Sequence, residues 1–170
     1  MSRYDLMDLE ATAVRLWKRL TREEKVAAAA CFWREPAEAL LGAALGVVVK
    51  AWHVRPQVAR SLPIEARTQA LASVLDPGEP MASALLVSLH LGERRGLLAA
   101  FLDALGLPHE NGILKEDGPE PPPLTEEAAK AGVRAVAAAF PRHEVETYMN
   151  TLWLQDPERW DVLRKSAEWL

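Results

Sequence analysis

The stretch EPAEALLGAALGVVV, residues 35–49, decides the fold predicted for this chain. Pro36 suits the first turn of a helix, because its φ is already set and its missing N–H is not needed there. The eleven residues from Ala39 to Val49 that follow carry no polar side chain. Such a run is too short to cross a bilayer and is typical of a helix surrounded by others. We therefore predict that this helix lies at the centre of an all-α fold, where Gly42 and Gly46 allow a neighbour to approach closely.

The same kind of helix start recurs along the chain. Proline after a boundary residue, or a threonine hydroxyl that caps free amides, marks most of these starts. Their spacing is about 16 residues, which suits a short helix followed by a tight turn. We predict about eight or nine short helices, and no stretch shows the alternation of a β-strand. The predicted starts are Asp5, Thr21, Pro36, Pro63, Pro80, Gly96, Thr125, Pro141 and Pro157.

The regular spacing leaves two architectures open. A helix pair of about 32 residues is close to the period of several α-solenoid families. However, the residues within the helices do not repeat, which favours a compact irregular bundle over a short α-solenoid of helix pairs. A length of 170 residues suits one all-helical domain over residues 1–170. In that domain an irregular, acidic loop rich in proline and glycine, residues 106–124, precedes the last three helices.

Composition excludes several functional classes. The net charge of −4 argues against nucleic acid and anionic membranes as partners. The N-terminal residues lack the apolar core of a signal peptide, so we expect a soluble cytoplasmic protein. Cys31 is the one cysteine, which rules out an intrachain disulfide, and its alanine-rich surroundings predict a buried, unreactive thiol.

Motifs for common chemistry are absent. The chain has no phosphate-binding glycine loop, no nucleophile elbow, no HExxH and no CxxC, so we expect no cofactor and no metal. Two histidines have a glutamate three residues on, His90 with Glu93 and His143 with Glu146. Such pairs share a helix face but arise readily by chance in a chain with 24 acidic residues, so metal binding is the weakest alternative.

A basic stretch is the first candidate binding region. Its cations outnumber acids, since only Glu65 opposes them, and aromatic and amide side chains lie between them. Such a stretch would hold a carboxylate, a phosphate or an acidic peptide. The alternative is an exposed helix corner whose arginines pair with acids elsewhere in the chain. The candidate residues are Lys50, Trp52, His53, Arg55, Arg60 and Arg67.

The 106–124 loop contains the second candidate region, His109, Glu110 and Asn111. A histidine beside a glutamate is the pattern of an acid–base pair. Asn111-Gly112 is equally a turn signal, which explains the sequence without catalysis. Among the tryptophans, Trp17, Trp33 and Trp153 are predicted to be core, while Trp52, Trp160 and Trp169 lie near helix ends among charges and are predicted to be partly exposed.

These observations favour a non-catalytic protein-interaction or scaffold domain that binds a protein partner or self-associates. Its predicted surface combines the basic stretch, the 106–124 loop and exposed tryptophans. The alternative is a small-molecule-binding or enzymatic helical bundle, with a site between helices near His53, Arg55, Arg67 and His90. Catalysis is the less favoured of the two, because it requires a closed pocket in which histidine and carboxylate side chains converge.

Overall fold

The computed structural model of the protein describes Asp8 and residues 10–165. Within this part the chain forms ten helices and one short antiparallel hairpin, which confirms the all-α class. The helices are α1 Ala13–Arg19, α2 Arg22–Arg34, α3 Glu38–Trp52, α4 Pro56–Ser61, α5 Ile64–Ala72, α6 Glu79–Glu93, α7 Arg95–Ala104, α8 Glu126–Ala139, α9 Arg142–Gln155 and α10 Pro157–Lys165. The strands are β1 His109–Glu110 and β2 Ile113–Leu114.

The chain divides into two compact units. The N-terminal unit, Thr12–Glu93, contains α1 to α6. The C-terminal unit, Arg94–Leu170 with Met1–Ala11, contains α7, the hairpin and α8 to α10. A single domain over residues 1–170 stays a prediction.

Most predicted helix starts are confirmed by the bounds of the helices, and at Thr21 and Thr125 the predicted caps are present. Thr21 and Glu24 form a capping box, in which each side chain accepts a hydrogen bond from the backbone N–H of the other residue. Thr125 accepts from the N–H of Ala128 at the start of α8. The helix missing from the prediction is α4, which begins with Pro56 in its first turn.

The predicted first helix begins later than expected. Residues Glu10 to Thr12 are not helical, and Thr12 caps α1 by accepting from the N–H of Arg15 at 3.1 Å. The predicted start at Asp5 lies outside the described residues. Glu79 caps the same end from a distant part of the chain, since its carboxylate accepts from the N–H groups of Ala13 at 3.0 Å and Val14 at 3.1 Å.

The helix that begins at Glu79, α6, lies at the centre of the N-terminal unit. It packs against α1, α2 and α3, and its buried side chains include Leu85, Leu86 and Leu89. Contact between the first and the sixth helix is unlike a solenoid, in which each repeat touches only its neighbours. The packing therefore favours the bundle.

The prediction that α3 is central is wrong. Only Ala44, Leu45 and Val48 of this helix are buried. A Cβ atom added at Gly42 or Gly46 would meet no atom of the described residues within 4 Å, so these glycines do not serve close packing within that part of the chain. Helix α2 takes the inner position instead, packing on α5 and α6. Its alanines, such as Ala28 and Ala29, allow close approach of those helices, while Phe32 and Trp33 fill the space between them.

The core of the C-terminal unit forms around the ring of Phe101 on α7. That ring lies 5.8 Å from the ring of Tyr148 on α9 and 5.9 Å from the ring of Trp160 on α10. The prediction that Trp160 is partly exposed is therefore wrong, since its indole completes this aromatic cluster. Trp17 and Trp33 are buried as predicted, Trp153 is half-buried, and Trp169 lies outside the described residues.

Gly92, near the end of α6, is a point of close approach between α6 and α2. A Cβ atom at this position would overlap Sγ of Cys31 and lie 3.0 Å from its Cβ. Gly96, in the first turn of α7, has room for a methyl group, because the nearest side-chain atom is a Phe140 carbon at 4.0 Å.

We predict that Gly92→Ala lowers the free energy of unfolding by about 1–2 kcal/mol, because overpacking outweighs the gain in helix propensity. Gly96→Ala should be neutral or slightly stabilising. Urea denaturation of both variants measures the difference. The double variant Gly92→Ala/Cys31→Ala should recover part of the loss relative to Cys31→Ala alone. Equal stability of Gly92→Ala and wild type would contradict the packing described.

Candidate functional site

The candidate site, here called the basic corner, links the end of α3 to the start of α5. Its side chains are exposed, and it combines most of the predicted basic stretch with two aliphatic side chains. The basic corner consists of Lys50, Trp52, His53, Arg55, Val58, Arg60 and Ile64. The chain turns twice within this segment, before and after the short helix α4.

Trp52 is the aromatic anchor of the basic corner. Its side chain is 49% exposed, as the sequence predicted. The indole Nε1–H donates to the carbonyl of Ala66 on α5 at 3.0 Å, which fixes the ring across the start of that helix. An exposed aromatic side chain that is already fixed loses little conformational entropy on binding.

His53 and Arg55 form the first turn of the basic corner. His53 adopts the left-handed conformation, with φ 51°, and its N–H donates to the carbonyl of Val49 to end α3. Arg55 precedes Pro56 and is the N-cap residue of α4, but its side chain makes no capping hydrogen bond. The backbone of His53 therefore shapes the turn, whereas the guanidinium group of Arg55 does not cap the helix that follows it.

The cations of the basic corner are not neutralised locally. Across the described residues, Lys50, Arg55 and Arg60 form no ion pair, and neither does the neighbouring Glu65. The structure therefore disfavours the alternative in which the arginines of this corner pair with acids elsewhere in the chain. Unpaired, exposed cations are available to an acidic partner.

Arg67 and His90, the remaining residues of the predicted sites, lie in different surroundings. The guanidinium carbon of Arg67 lies 5.1 Å from the centre of the Trp33 ring, a cation–π contact that packs α5 against α2. His90 is buried in α6. Of the four residues of the alternative site, His53 and Arg55 are exposed, Arg67 is half-buried and His90 is buried.

The second predicted region forms a β-hairpin, although no β-strand was predicted from the sequence. Strands β1 and β2 pair in antiparallel register, His109 with Leu114 and Glu110 with Ile113. The turn signal was correct, since Asn111 and Gly112 have φ values of 49° and 86°. Positive φ at both positions is typical of the tightest hairpin turns. A strand of two residues is too short to show alternation in the sequence.

His109 holds this hairpin in place. Its Nε2 lies 2.7 Å from Oδ1 of Asp103 on α7, and its Nδ1 accepts from the N–H of Gly112 at 3.1 Å. Arg95 donates to the carbonyl of Asn111 at 2.9 Å. Both imidazole nitrogens are therefore engaged in holding the loop, while Glu110 is exposed. This arrangement favours the turn over an acid–base pair.

Gly112, more than Ile113, docks the hairpin on α7. A Cβ atom at Gly112 would lie 2.7 Å from Cβ of Leu98 and 3.3 Å from the carbonyl oxygen of Arg95. Ile113 is exposed, and Leu114 is half-buried. The backbone of the turn, and not the apolar pair after it, thus makes the close contact with α7.

Cys31 lies in the N-terminal unit and is buried, as predicted. Its Sγ lies 3.7 Å from Oε1 of Glu93. Burial, together with the charge of Glu93, raises the pKa of the thiol above its ordinary value. The group is therefore a protonated thiol at neutral pH, which is unsuited to nucleophilic attack.

Neither a metal cluster nor a membrane span is found in the described part of the chain. No three histidine, cysteine or acidic side chains are grouped there closely enough to hold a metal ion. The two histidine–glutamate pairs belong to different units, and Glu146 accepts from Nε of Arg142 at 2.7 Å. None of the described helices combines the length and hydropathy needed to cross a membrane.

Comparison of the chain with protein-family models, with curated proteins and with solved structures gives no match. The function is therefore inferred from the residues of the basic corner. Two of these, Val58 and Ile64, were not among the predicted site residues. Pro56 could have indicated Val58, because proline in a first turn predicts helix α4, on which Val58 is exposed.

We predict that Gly112→Ala destabilises the hairpin by about 2 kcal/mol or more, because it adds both a clash and an unfavourable positive φ. Hydrogen exchange of the amides of residues 109–114 measures the loss of protection. Gly118→Ala is the matched control, since this loop glycine has open space and an ordinary φ. Unchanged exchange in Gly112→Ala would contradict the docking of the turn on α7.

We predict that alkylation of Cys31 by iodoacetamide rises with pH around a midpoint above that of an ordinary cysteine. Glu93→Gln should lower this midpoint, because it removes the negative charge that opposes the thiolate. The sign also applies to stability: a raised pKa stabilises the fold below the unfolded-state pKa, and this contribution is lost as pH rises through the folded-state pKa. Mass spectrometry of the labelled chain, with urea-unfolded protein as the control, checks both midpoints. An ordinary midpoint in the folded protein would contradict the assignment.

Proposed function

We propose that this protein is a non-catalytic interaction domain whose basic corner binds an acidic segment of a partner protein. The observation that carries the proposal is the coincidence of exposed apolar side chains with unpaired cations. Of the five large apolar side chains that are exposed in the described residues, three are Trp52, Val58 and Ile64, at 49%, 43% and 39% exposure. All three lie within a segment of fifteen residues, 50–64.

The composition of the basic corner matches that of interaction surfaces in general. Tryptophan and arginine are the residues most enriched among those that dominate binding energy, and both occur here in exposed positions. Trp52 is held by its bond to Ala66, so its ring is presented in one orientation. The side chain that contributes most to binding is therefore already ordered before a partner arrives.

The positive charge of the basic corner favours an acidic partner. Lys50, Arg55 and Arg60 outnumber Glu65, although the protein as a whole carries a net charge of −4. A local positive field on an acidic protein attracts segments that contain aspartate or glutamate and repels basic ones. Apolar side chains in the same segment would contact the ring of Trp52 and the side chains of Val58 and Ile64.

The test begins with a peptide-display selection on the immobilised full chain. Calorimetry then measures the affinity of the enriched peptides for wild type, Trp52→Ala, Arg55→Glu/Arg60→Glu and the control Leu75→Ala. Leu75 is a fair control because it is 79% exposed and lies outside the basic corner. We expect peptides rich in acidic residues, with about thirtyfold weaker binding to Trp52→Ala and no change in Leu75→Ala.

Added salt should also weaken binding of the enriched peptides to wild type, because the cations are exposed and easily screened. Three outcomes would overturn the proposal. The selection enriches no peptide, the enriched peptides lack acidic residues, or their affinity is the same for wild type and for Trp52→Ala. Circular dichroism of each variant confirms that the fold is retained.

A further inference from the structure

The outer side of α3 is an apolar helix face that no element of the N-terminal unit covers. Its exposed residues, here called the outer face of α3, are Ala39, Gly42, Ala43 and Gly46. They occupy positions i, i+3, i+4 and i+7, so they share one side of the helix. The half-buried side chains of Leu40 and Val47 border this side.

The outer face of α3 lacks the charges that exposed helices ordinarily carry. Between Ala39 and Val49 there is no polar side chain at all, so neither side of the helix is adapted to water. One side meets α4, α5 and α6 through Ala44, Leu45 and Val48. The opposite side has equally apolar composition and no neighbour among the described residues, which is the pattern of a helix that has a partner on both sides.

The small residues make this face suited to another helix. With no atom within 4 Å of an added Cβ at Gly42 or Gly46, the backbone of α3 is open to close approach at two positions one turn apart. Helices that carry small residues at such positions pack with their backbones near each other. A flat apolar strip of this kind fits a second helix with the same small side chains.

The charges at the two ends of the outer face fix the direction of the second helix. Glu35 and Glu38 are exposed at the N-terminal end, beside Arg34, and Lys50 and Arg55 are exposed at the C-terminal end. A second α3 in the same direction would place like charges together. An antiparallel α3 would place the acidic end of each copy beside the basic end of the other, which is favourable.

We infer that a second copy of this chain docks on the outer face of α3, giving a two-fold symmetric dimer of antiparallel α3 helices. Residue 44 lies midway between Gly42 and Gly46, and also midway between Glu38 and Lys50. A two-fold axis at the level of residue 44 therefore brings Gly42 of each copy to the level of Gly46 of the other, as an isologous interface requires. The outer face of α3 adjoins the basic corner, and the dimer would use two of its cations, Lys50 and Arg55. Ala43 and Trp52 each belong to one surface alone, so either proposal can fail without the other.

The interface is small, so the dimer is expected to dissociate in the micromolar range. Sedimentation velocity of the full chain over a range of concentrations measures this equilibrium. Ala43→Glu places a charge at the centre of the interface and should weaken self-association at least about tenfold, since a buried charge without a partner is costly. Ala135→Glu is the matched control, because Ala135 is an exposed alanine on α8.

Disulfide trapping tests the direction of the two helices. In a Cys31→Ala background, Ala43→Cys should form a linked dimer, because the two cysteines would lie near the axis. Ala39→Cys should not, because five residues on each side of the axis separate its two copies by about 15 Å along the helices. In a parallel dimer, residue 39 of one chain would lie beside residue 39 of the other, and residue 43 beside residue 43. Both cysteine variants would then cross-link.

Several results would overturn the inference. These are a monomer at every concentration, a dimer that Ala43→Glu leaves unchanged, or equal cross-linking at positions 39 and 43. Peptide binding at the basic corner separates this inference from the proposed function. Ala43→Glu should keep that binding, and Trp52→Ala should keep the dimer.

Discussion

The carboxylate of Glu79 joins the beginnings of two helices, and the order of the N-terminal unit depends on this junction. Its two oxygens accept from the first amides of α1, while Glu79 itself begins α6. A carboxylate is favourable at a helix N-terminus, where amide groups lack partners and the helix dipole is positive. The junction places α1 along α6, where Trp17 is buried and its Nε1 donates to the carbonyl of Val74 at 2.9 Å.

Once α1 and α2 occupy the sides of α6, little of its surface remains for α3. That helix packs mainly on α5 and α4, which leaves its outer face and the basic corner exposed. The two surfaces have different chemistry. The outer face of α3 is apolar and nearly flat, which suits a copy of itself, whereas the basic corner combines an ordered indole with unpaired cations. Both surfaces follow from the choice of α2 as the inner helix.

The candidate site was predictable in part. The cations Lys50, Arg55 and Arg60 are exposed, because long charged side chains near helix ends seldom lose contact with water. Trp52 is exposed as predicted from its position near a helix end. Arg67 was grouped with them by its position in the sequence, yet it stacks on Trp33. The role of His109 was also beyond the sequence, since its partners Asp103 and Gly112 are chosen by the path of the loop. These contacts cannot be predicted from how close the residues lie in the sequence.

The class of fold and most of the helix starts follow from local sequence alone. Proline geometry, the capping box at Thr21 and the turn at Asn111-Gly112 are local, so a few neighbouring residues contain the whole cause. Tertiary structure alone decided which helix lies inside. Helix α3 is the more apolar, but α2 offers alanines for close approach with Phe32 and Trp33 between them. Burial is decided by the fit of one helix surface to another, and hydropathy along a single helix does not contain that information.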